Sequence, residues 1–282
     1  MMTSTTVRGI INMKLGQNLL KFRKECGLTQ KEIAEALGVS FQTVSKWERD
    51  MCFPDISVIS KLADILGVNT DTLLGHIPGE VRKTIYHAMY ENEAYYFGTA
   101  PTPFCYKILD KYPPARHLKL LEIGCGEGRD AVFFARNGYD VTAFDIVPDG
   151  IKKAEQLATF HNVTINAFVT DMITFSPKEQ YDIVYGSRVL HYLPKENRDA
   201  FFETYKNATV SGGINAFLVL VDKPFVGSAP DNDEASFLMK SGEIFTYYHD
   251  WEFLVFEEDY IDCNSSGVPH KHCVNLMIAR KP

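Results

Sequence analysis

The sequence predicts two folds in tandem: a small all-α head, then an α/β body on a mostly parallel sheet that closes with an antiparallel C-terminal hairpin. Three observations carry this. Residues 14–77 read as short helices punctuated by Gly27, Gly38, Gly67 and Asn69. From Leu118 onward strand-like and helix-like segments alternate, which implies parallel strands with helices on both faces. At the start of that alternation, Leu120-Leu121-Glu122-Ile123-Gly124-Cys125-Gly126-Glu127-Gly128-Arg129-Asp130 runs from a buried strand through a glycine-rich turn into a helix.

Bulk properties narrow the class. At 282 residues, 45% hydrophobic and 23% charged, the chain has the composition of an ordinary globular protein of two domains. No apolar run approaches a membrane span, so no membrane partner is expected. Six cysteines (Cys26, Cys52, Cys105, Cys125, Cys263 and Cys273) without a C-x-x-C pair suit reduced thiols and a cytoplasmic location. Residues 1–77 carry 9 basic against 8 acidic residues, net +1, leaving the rest at 20 against 28, net −8. A near-neutral unit thus precedes an acidic one.

Residues 1–13 are expected to be a flexible extension. Leu15, Leu19, Leu20 and Phe22 form the apolar stripe of a first helix that Gly27 stops. Thr29-Gln30-Lys31-Glu32 is a capping box opening a second helix, Gln30 to Leu37, with Ile33, Ala34 and Leu37 inward. Gly38-Val39 turns the chain and Ser40 caps a third helix, Phe41 to Arg49, in which Phe41 and Trp47 are read as packing. Asp55 to Leu66 and Thr70 to Leu74 complete the head. Two short helices joined by a glycine turn form the arrangement that presents a recognition helix to the major groove. The segment GLTQKEIAEALGVSFQTVSKWERD resembles the Cro-like, XRE-type helix-turn-helix family. That resemblance implies double-stranded DNA as a partner, with Gln42, Thr43 and Lys46 facing base edges and Gln30, Ser45 and Arg49 holding phosphates. The competing reading is a helical bundle used for protein contact. Weak positive charge predicts that a single copy binds poorly, hence a homodimer on a palindromic site.

His76-Ile77-Pro78-Gly79-Glu80 breaks the pattern and marks the boundary, followed by a helix-like stretch Val81 to Tyr90. Residues 78–100 are read as linker and cofactor lid, and 101–282 as the α/β domain. The aromatic cluster Tyr95-Tyr96-Phe97 either faces a cationic ligand or fills the core. Strands are expected at Lys119 to Ile123, Val141 to Asp145, Thr164 to Val169, Asp182 to Tyr185 and Ile214 to Val221. Helices are expected at Ala131 to Asn137, Gly150 to His161 and Glu196 to Ala208.

Three alternate glycines are expected to leave one side of the turn bare, so that a ligand can lie on backbone N–H groups at a helix N-terminus. Asp145 follows about 20 residues after the first glycine, the spacing at which an acid accepts ribose hydroxyls. A dinucleotide fingerprint requires Gly-x-Gly-x-x-Gly, and position 129 is Arg129, so a pyrophosphate cradle is the weaker reading. The pattern Glu122-x-Gly124-x-Gly126-x-Gly128 resembles the first motif of class I S-adenosylmethionine-dependent methyltransferases, whose fold is Rossmann-like. The resemblance implies S-adenosylmethionine as cofactor. The cofactor-binding set is Tyr96, Glu122, Gly124, Cys125, Gly126, Gly128, Arg129, Asp145, Ile146, Asp171, Met172 and Ser187, with Asp171 toward the adenine amino group. Gly186-Ser187-Arg188 and Val189 to Leu193 resemble the stretch lining the methyl-transfer side, which makes Arg188 and His191 catalytic candidates. His191 is either a general base or a buried structural histidine.

The last third, from LVDKPFVGSAPDND through SGEIFTYYHDWE to MIARKP, resembles the tellurite-resistance TehB-type methyltransferases. It departs in the final hairpin, where CNSSGVPHKHC stands in place of the His-Arg pair of that family. His270 and His272 project from one strand face with Cys263 on the opposite strand. These three are catalytic candidates that hold a soft acceptor atom, bind a metal, or meet there without function; no metal is assigned.

Together these readings describe a DNA-binding methyltransferase of a small-molecule acceptor, with chalcogens, metalloids and thiols as the candidate acceptors. The alternative is a transcriptional regulator whose methyltransferase fold senses cofactor or metalloid without turnover. DNA is not expected as the acceptor, because the fourth strand ends in Tyr-Gly-Ser-Arg and no Pro-Cys nucleophile occurs.

Overall fold

The computed structural model describes residues 15–68, 70–74, 84–114, 117–227, 237–264 and 267–282. The expected extension at 1–13, the boundary at 76–80 and the start of the Val81 helix lie outside the described residues. The chain divides into two compact units, 1–80 and 81–282.

The first unit packs α1 (Leu15–Glu25), α2 (Gln30–Leu37), α3 (Phe41–Glu48), α4 (Ile56–Ile65) and α5 (Thr70–Leu74). Its core is Leu19, Ile33, Val44, Trp47 and Leu62 with their neighbours, as the helical periodicity requires. The capping box is complete: Glu32 N donates to Thr29 Oγ1 at 3.2 Å and Thr29 N donates to Glu32 Oε2 at 2.7 Å. Gly38 ends α2 at φ 69°, a left-handed backbone that glycine adopts without strain. Ser40 caps α3 by accepting from Thr43 N. Arg23 joins α1 to α3 through a two-pronged pair with Glu48, Nε–Oε1 2.5 Å and Nη2–Oε2 3.1 Å.

One expectation in this unit is corrected. Trp47 is buried, but Phe41 is 53% exposed at the first position of α3. Phe41 and Val44 stand three positions apart, so the ring would share the buried stripe in a longer helix; at the first turn it points past the core.

The second unit opens with α6 (Tyr86–Tyr90) and α7 (Pro103–Lys111). The α7 helix is missing from the sequence reading, although Thr102 at the N-cap and Pro103 at the first helical position are its signature. Then follow β1 (Lys119–Ile123), α8 (Arg129–Arg136), β2 (Asp140–Asp145), α9 (Pro148–Phe160), β3 (Asn166–Val169) and β4 (Tyr181–Ser187). The chain continues with α10 (Arg198–Asn207), β5 (Thr209–Asp222), β6 (Met239–Lys240), α11 (Glu243–Thr246), β7 (Glu252–Cys263) and β8 (His270–Arg280). Strand order is β3-β2-β1-β4-β5-β8-β7, with the short β6 pairing the end of β5. Strands β1 to β5 run parallel, and β8 is antiparallel to both β5 and β7. This is a Rossmann-like sheet with an antiparallel hairpin.

Alternation along β1 sends Leu120 to one apolar layer and Leu121 and Ile123 to the other, so the sheet is buried on both faces. Order reverses between β1 and β4. A crevice is expected outside the carboxyl ends of the strands at such a switch point.

Candidate functional site

A cavity of about 290 Å³ occupies that place, near the lower end of the range for small-molecule clefts. Its floor is the turn after β1, its sides the ends of β2, β4, β5 and β8, and its aromatic wall Tyr86, Tyr90, Phe97 and Tyr192.

The turn is built by backbone conformation. Gly124, Gly126 and Gly128 have φ of 67°, 54° and 83°, which side-chain-bearing residues adopt at a cost. The expectation of a bare side is corrected. A Cβ on Gly124 would lie 2.3 Å from Val189 Cγ2, one on Gly126 2.8 Å from the Tyr90 hydroxyl, and one on Gly128 2.4 Å from Ala154 Cβ. The three glycines admit neighbouring protein groups, and two of those groups, Tyr90 and Val189, line the cavity themselves.

Acids crowd the turn, each held differently. Asp145 accepts from Gly126 N at 2.8 Å on Oδ2 and from Val147 N at 2.9 Å on Oδ1. Each oxygen keeps a further acceptor position. Burial pushes its carboxyl up, while those backbone N–H groups pull it back down. Asp130 accepts from Thr102 N at 2.7 Å, Thr102 Oγ1 at 3.0 Å and Tyr185 Oη at 2.7 Å, which fixes the start of α7 to the sheet. Glu127 pairs with Lys153 at 2.7 Å and accepts from Tyr96 N at 2.8 Å. Arg129 Nη1 donates to Phe97 O at 3.1 Å. The aromatic segment is thus tied down by the acids and base of the glycine turn.

Glu122 differs from these. It is 3% exposed, and its Oε2 has no hydrogen-bond partner among the described residues. Burial raises its carboxyl well above the usual range, with Asp130 adding to the rise and Arg129 opposing it. Ser187 Oγ, in the same cavity, is buried without a hydrogen-bond partner among the described residues. Isolated buried polar atoms are rare in folded chains, and two facing one cavity mark a place built for a polar ligand.

Most of the sequence-predicted residues meet here. Glu122, Gly124, Cys125, Gly126, Arg129, Asp145, Ile146, Asp171, Met172, Ser187, Arg188, His191, Cys263 and His272 all line the cavity. Tyr96, Gly128 and His270 do not. The Tyr96 ring packs on Phe97, with centroids 4.7 Å apart, and Phe97 reaches the cavity in its place. Gly128 abuts Ala154, and His270 lies beside His272. His191 is 6% exposed in a 3-10 turn and its carbonyl accepts from Phe237 N at 2.5 Å. Arg188 has φ 54°, an unusual backbone for an arginine. Its guanidinium has no ion-pair or hydrogen-bond partner among the described residues, and burial with Arg129 nearby lowers its pKa. Lining residues that sequence reading missed include Tyr86, Tyr90 and Lys223, whereas Phe97 belongs to the aromatic cluster expected to face a cationic ligand or fill the core. The Tyr86-x-x-x-Tyr90 spacing, one helical face, is the signal that could have found the first two.

In the first unit, Gln42, Lys46 and Arg49 are exposed on or just after α3, with Thr43 and Ser45 half-buried. Arg49 Nε donates to Ser45 O at 3.0 Å. Gln30 donates from Nε2 to Glu48 Oε2 at 2.8 Å, so its amide closes the Arg23–Glu48 pair.

Comparison with known proteins gives two matches along the chain. Residues 93–267 match the family model described as Tellurite resistance protein TehB, and residues 19–73 one described as Helix-turn-helix. The probable S-adenosyl-L-methionine-dependent methyltransferase TehB of Haemophilus influenzae is 29% identical over 168 residues, 58% of this chain and 57% of that protein. The crystal structure of TehB from Haemophilus influenzae aligns with a TM-score of 0.56 and 25% identity over 62% of each chain. The HTH-type transcriptional regulator ImmR of Bacillus subtilis is 43% identical over 63 residues, 22% of this chain and 50% of that protein. This chain therefore spans little more than half the length of the curated relatives it matches.

Proposed function

Because this chain belongs to the tellurite resistance protein TehB family, we propose that its second unit is an S-adenosylmethionine-dependent methyltransferase of a small-molecule acceptor and its first unit a DNA-binding regulator. The observation that carries the enzymatic reading is the partnerless buried carboxylate oxygen of Glu122, beside Ser187, in a ring-walled cavity at the sheet's switch point. The residues present fit that cofactor. Glu122 supplies an anion where a ligand ammonium would complete it. Asp145 keeps acceptor capacity for two hydroxyls, and Ile146 and Met172 offer apolar surface beside Asp171 for a flat ring.

Bound S-adenosylmethionine supplies an electrophilic methyl carbon. The chain's own part is to align the acceptor and exclude water, which the rings of Tyr86, Tyr90, Phe97 and Tyr192 do at the cavity wall. Their faces also favour a cation. Arg188, half-buried at the cavity with Asp130 as its acidic neighbour, favours an anionic acceptor. A chalcogen or thiol acceptor needs no proton taken from it once ionised, so His191 is not required as a base.

The head binds duplex DNA through α3, with Gln42, Thr43 and Lys46 toward bases and Ser45 and Arg49 toward phosphates. Gln30, engaged by Glu48, orients rather than reaches out. Net charge near zero in this unit favours a homodimer on DNA. Incubating the full chain with methyl-labelled cofactor and selenite, tellurite, thiol and phenol acceptors tests the enzyme. Label is expected on a chalcogen or thiol. Cofactor binding with no transfer to any acceptor, together with cofactor-dependent release of DNA, would replace the enzyme by a sensor.

A further inference from the structure

At the rim of the same cavity, the end of the β7–β8 hairpin gathers three soft donors. Cys263 is the last residue of β7 and His270 the first of β8, and the two are directly paired across the hairpin. Directly opposed residues share a face, and His272, two positions on, returns to it. The consequence is a compact triad. His270 Nε2 lies 3.0 Å from His272 Nε2, and the donor atoms of all three residues fall within 4.8 Å of one another.

The tautomer of His270 follows from its other nitrogen. Nδ1 lies 2.8 Å from the Val268 carbonyl, which can only accept, so Nδ1 carries the proton and Nε2 presents a lone pair to His272. A histidine fixed through its far nitrogen to a backbone carbonyl is the arrangement by which proteins orient metal-ligating imidazoles. The spacing suits a small cation. A tetrahedral zinc with the usual bond lengths sets two nitrogens roughly 3.3 Å apart and sulfur roughly 3.6 Å from nitrogen. The observed nitrogens, 3.0 Å apart, need to open by only a few tenths of an ångström, and the sulfur needs a shift of about an ångström, the scale of a rotamer adjustment at a half-buried hairpin end. Nearby positive charge is partly met, since Lys271 pairs with Asp262 at 2.6 Å.

We propose that Cys263, His270 and His272 form a three-ligand site for a thiophilic divalent cation of the zinc class, at the acceptor end of the cavity. One thiolate and two imidazoles select such an ion over calcium or magnesium. Cys263 and His272 line the cavity, so a fourth position opens toward whatever occupies it, as in three-ligand sites that handle a substrate. The placement at the acceptor end rests on the methyltransferase reading; the site itself does not.

The test uses the full, reduced, metal-stripped chain titrated with cobalt(II), a coloured stand-in for zinc. One cobalt per chain is expected, with tetrahedral visible bands and a thiolate-to-cobalt charge-transfer band, all displaced by zinc. Cys263→Ser should abolish the charge-transfer band, and His272→Ala should weaken binding at least tenfold. The double variant Cys26→Ser/Cys52→Ser, both exposed thiols of the head, should leave the spectrum unchanged. Absence of the band in the unsubstituted chain, or its survival in Cys263→Ser, overturns the site. Cofactor binding, measured calorimetrically on the same samples, is expected in the unsubstituted chain and in Cys26→Ser/Cys52→Ser. If cobalt binds while the cofactor does not, the metal site stands and the methyltransferase reading falls.

Discussion

Replacing Glu122 by Gln separates the binding role of this residue from any structural one, because the two move in opposite directions. In the ligand-free chain Glu122 places a carboxylate 3% exposed with Oε2 lacking a partner among the described residues. Glutamine cannot ionise, so the variant escapes the cost of charging this buried site and should stabilise the second unit by about 1–2 kcal/mol above the ordinary carboxylate range, which in a domain of this size raises Tm by roughly 2–8 °C. The pH dependence has the matching sign. Glu122's pKa is raised in the folded state by burial and by Asp130. Folding therefore binds a proton in that range, and this residue's contribution to stability falls as pH rises from the ordinary carboxylate value toward the folded one. Glu122→Gln should flatten that slope on the acid side of neutrality. With S-adenosylmethionine the order reverses, since a charge-assisted hydrogen bond to the ligand is worth about 1.5–3 kcal/mol, or roughly 10- to 150-fold in Kd. Scanning calorimetry from pH 5 to 8, with and without cofactor, reads both effects. A variant that melts lower without ligand, yet binds the cofactor as tightly as before, would refute the assignment and make Glu122 a structural group.

Other expectations follow from single contacts. Glu48→Ala strands the Arg23 guanidinium, whose side chain is 12% exposed against 4% for Glu48; breaking such a buried pair should cost the head about 3–5 kcal/mol in denaturant unfolding, with little added by Arg23→Ala on top. Gly128→Ala drives a Cβ to within 2.4 Å of Ala154 Cβ at φ 83°; a loss of about 2–4 kcal/mol is expected by the same assay, recovered only in part by Ala154→Gly, which relieves the clash but not the backbone. Lys223 and Ser241 hold Glu258 down at about 2, so its contribution is present above the ordinary carboxylate range and lost as pH falls toward that value; Glu258→Gln should flatten the acid limb of the stability curve there. Arg49→Ala should weaken operator binding in a gel-shift titration and reduce its salt slope by about one.

The helices of the head were legible because their ends are chemical. Thr29 with Glu32, Ser40, Gly27 and Gly38 each satisfy or terminate a specific set of backbone groups, and α2 begins and ends where they say. β1 was legible from Lys119 to Ile123 because both faces are buried from Leu120 on and the run after Lys119 is apolar apart from Glu122. The α7 helix was missed because its apolar face, Phe104, Cys105 and Ile108, is brief and flanked by prolines that read as loop. Phe41 was misread because an aromatic residue at a helix start carries no signal of which way it will point. In the cavity, motif spacing identified the acids but could not see that Val189 and Tyr90 occupy the glycines' bare side. Those contacts join residues far apart in sequence, and only the fold brings them together. The hairpin triad was visible as a Cys/His/His set, while the 3.0 Å approach of the two imidazoles depends on strand register.

The most direct measurement is a calorimetric titration of the folded full chain with S-adenosylmethionine. The account predicts one binding event per chain, abolished or severely weakened in Asp145→Ala. A titration with no heat of binding in a chain shown by circular dichroism to be folded, or binding unaffected by Asp145→Ala, would contradict it.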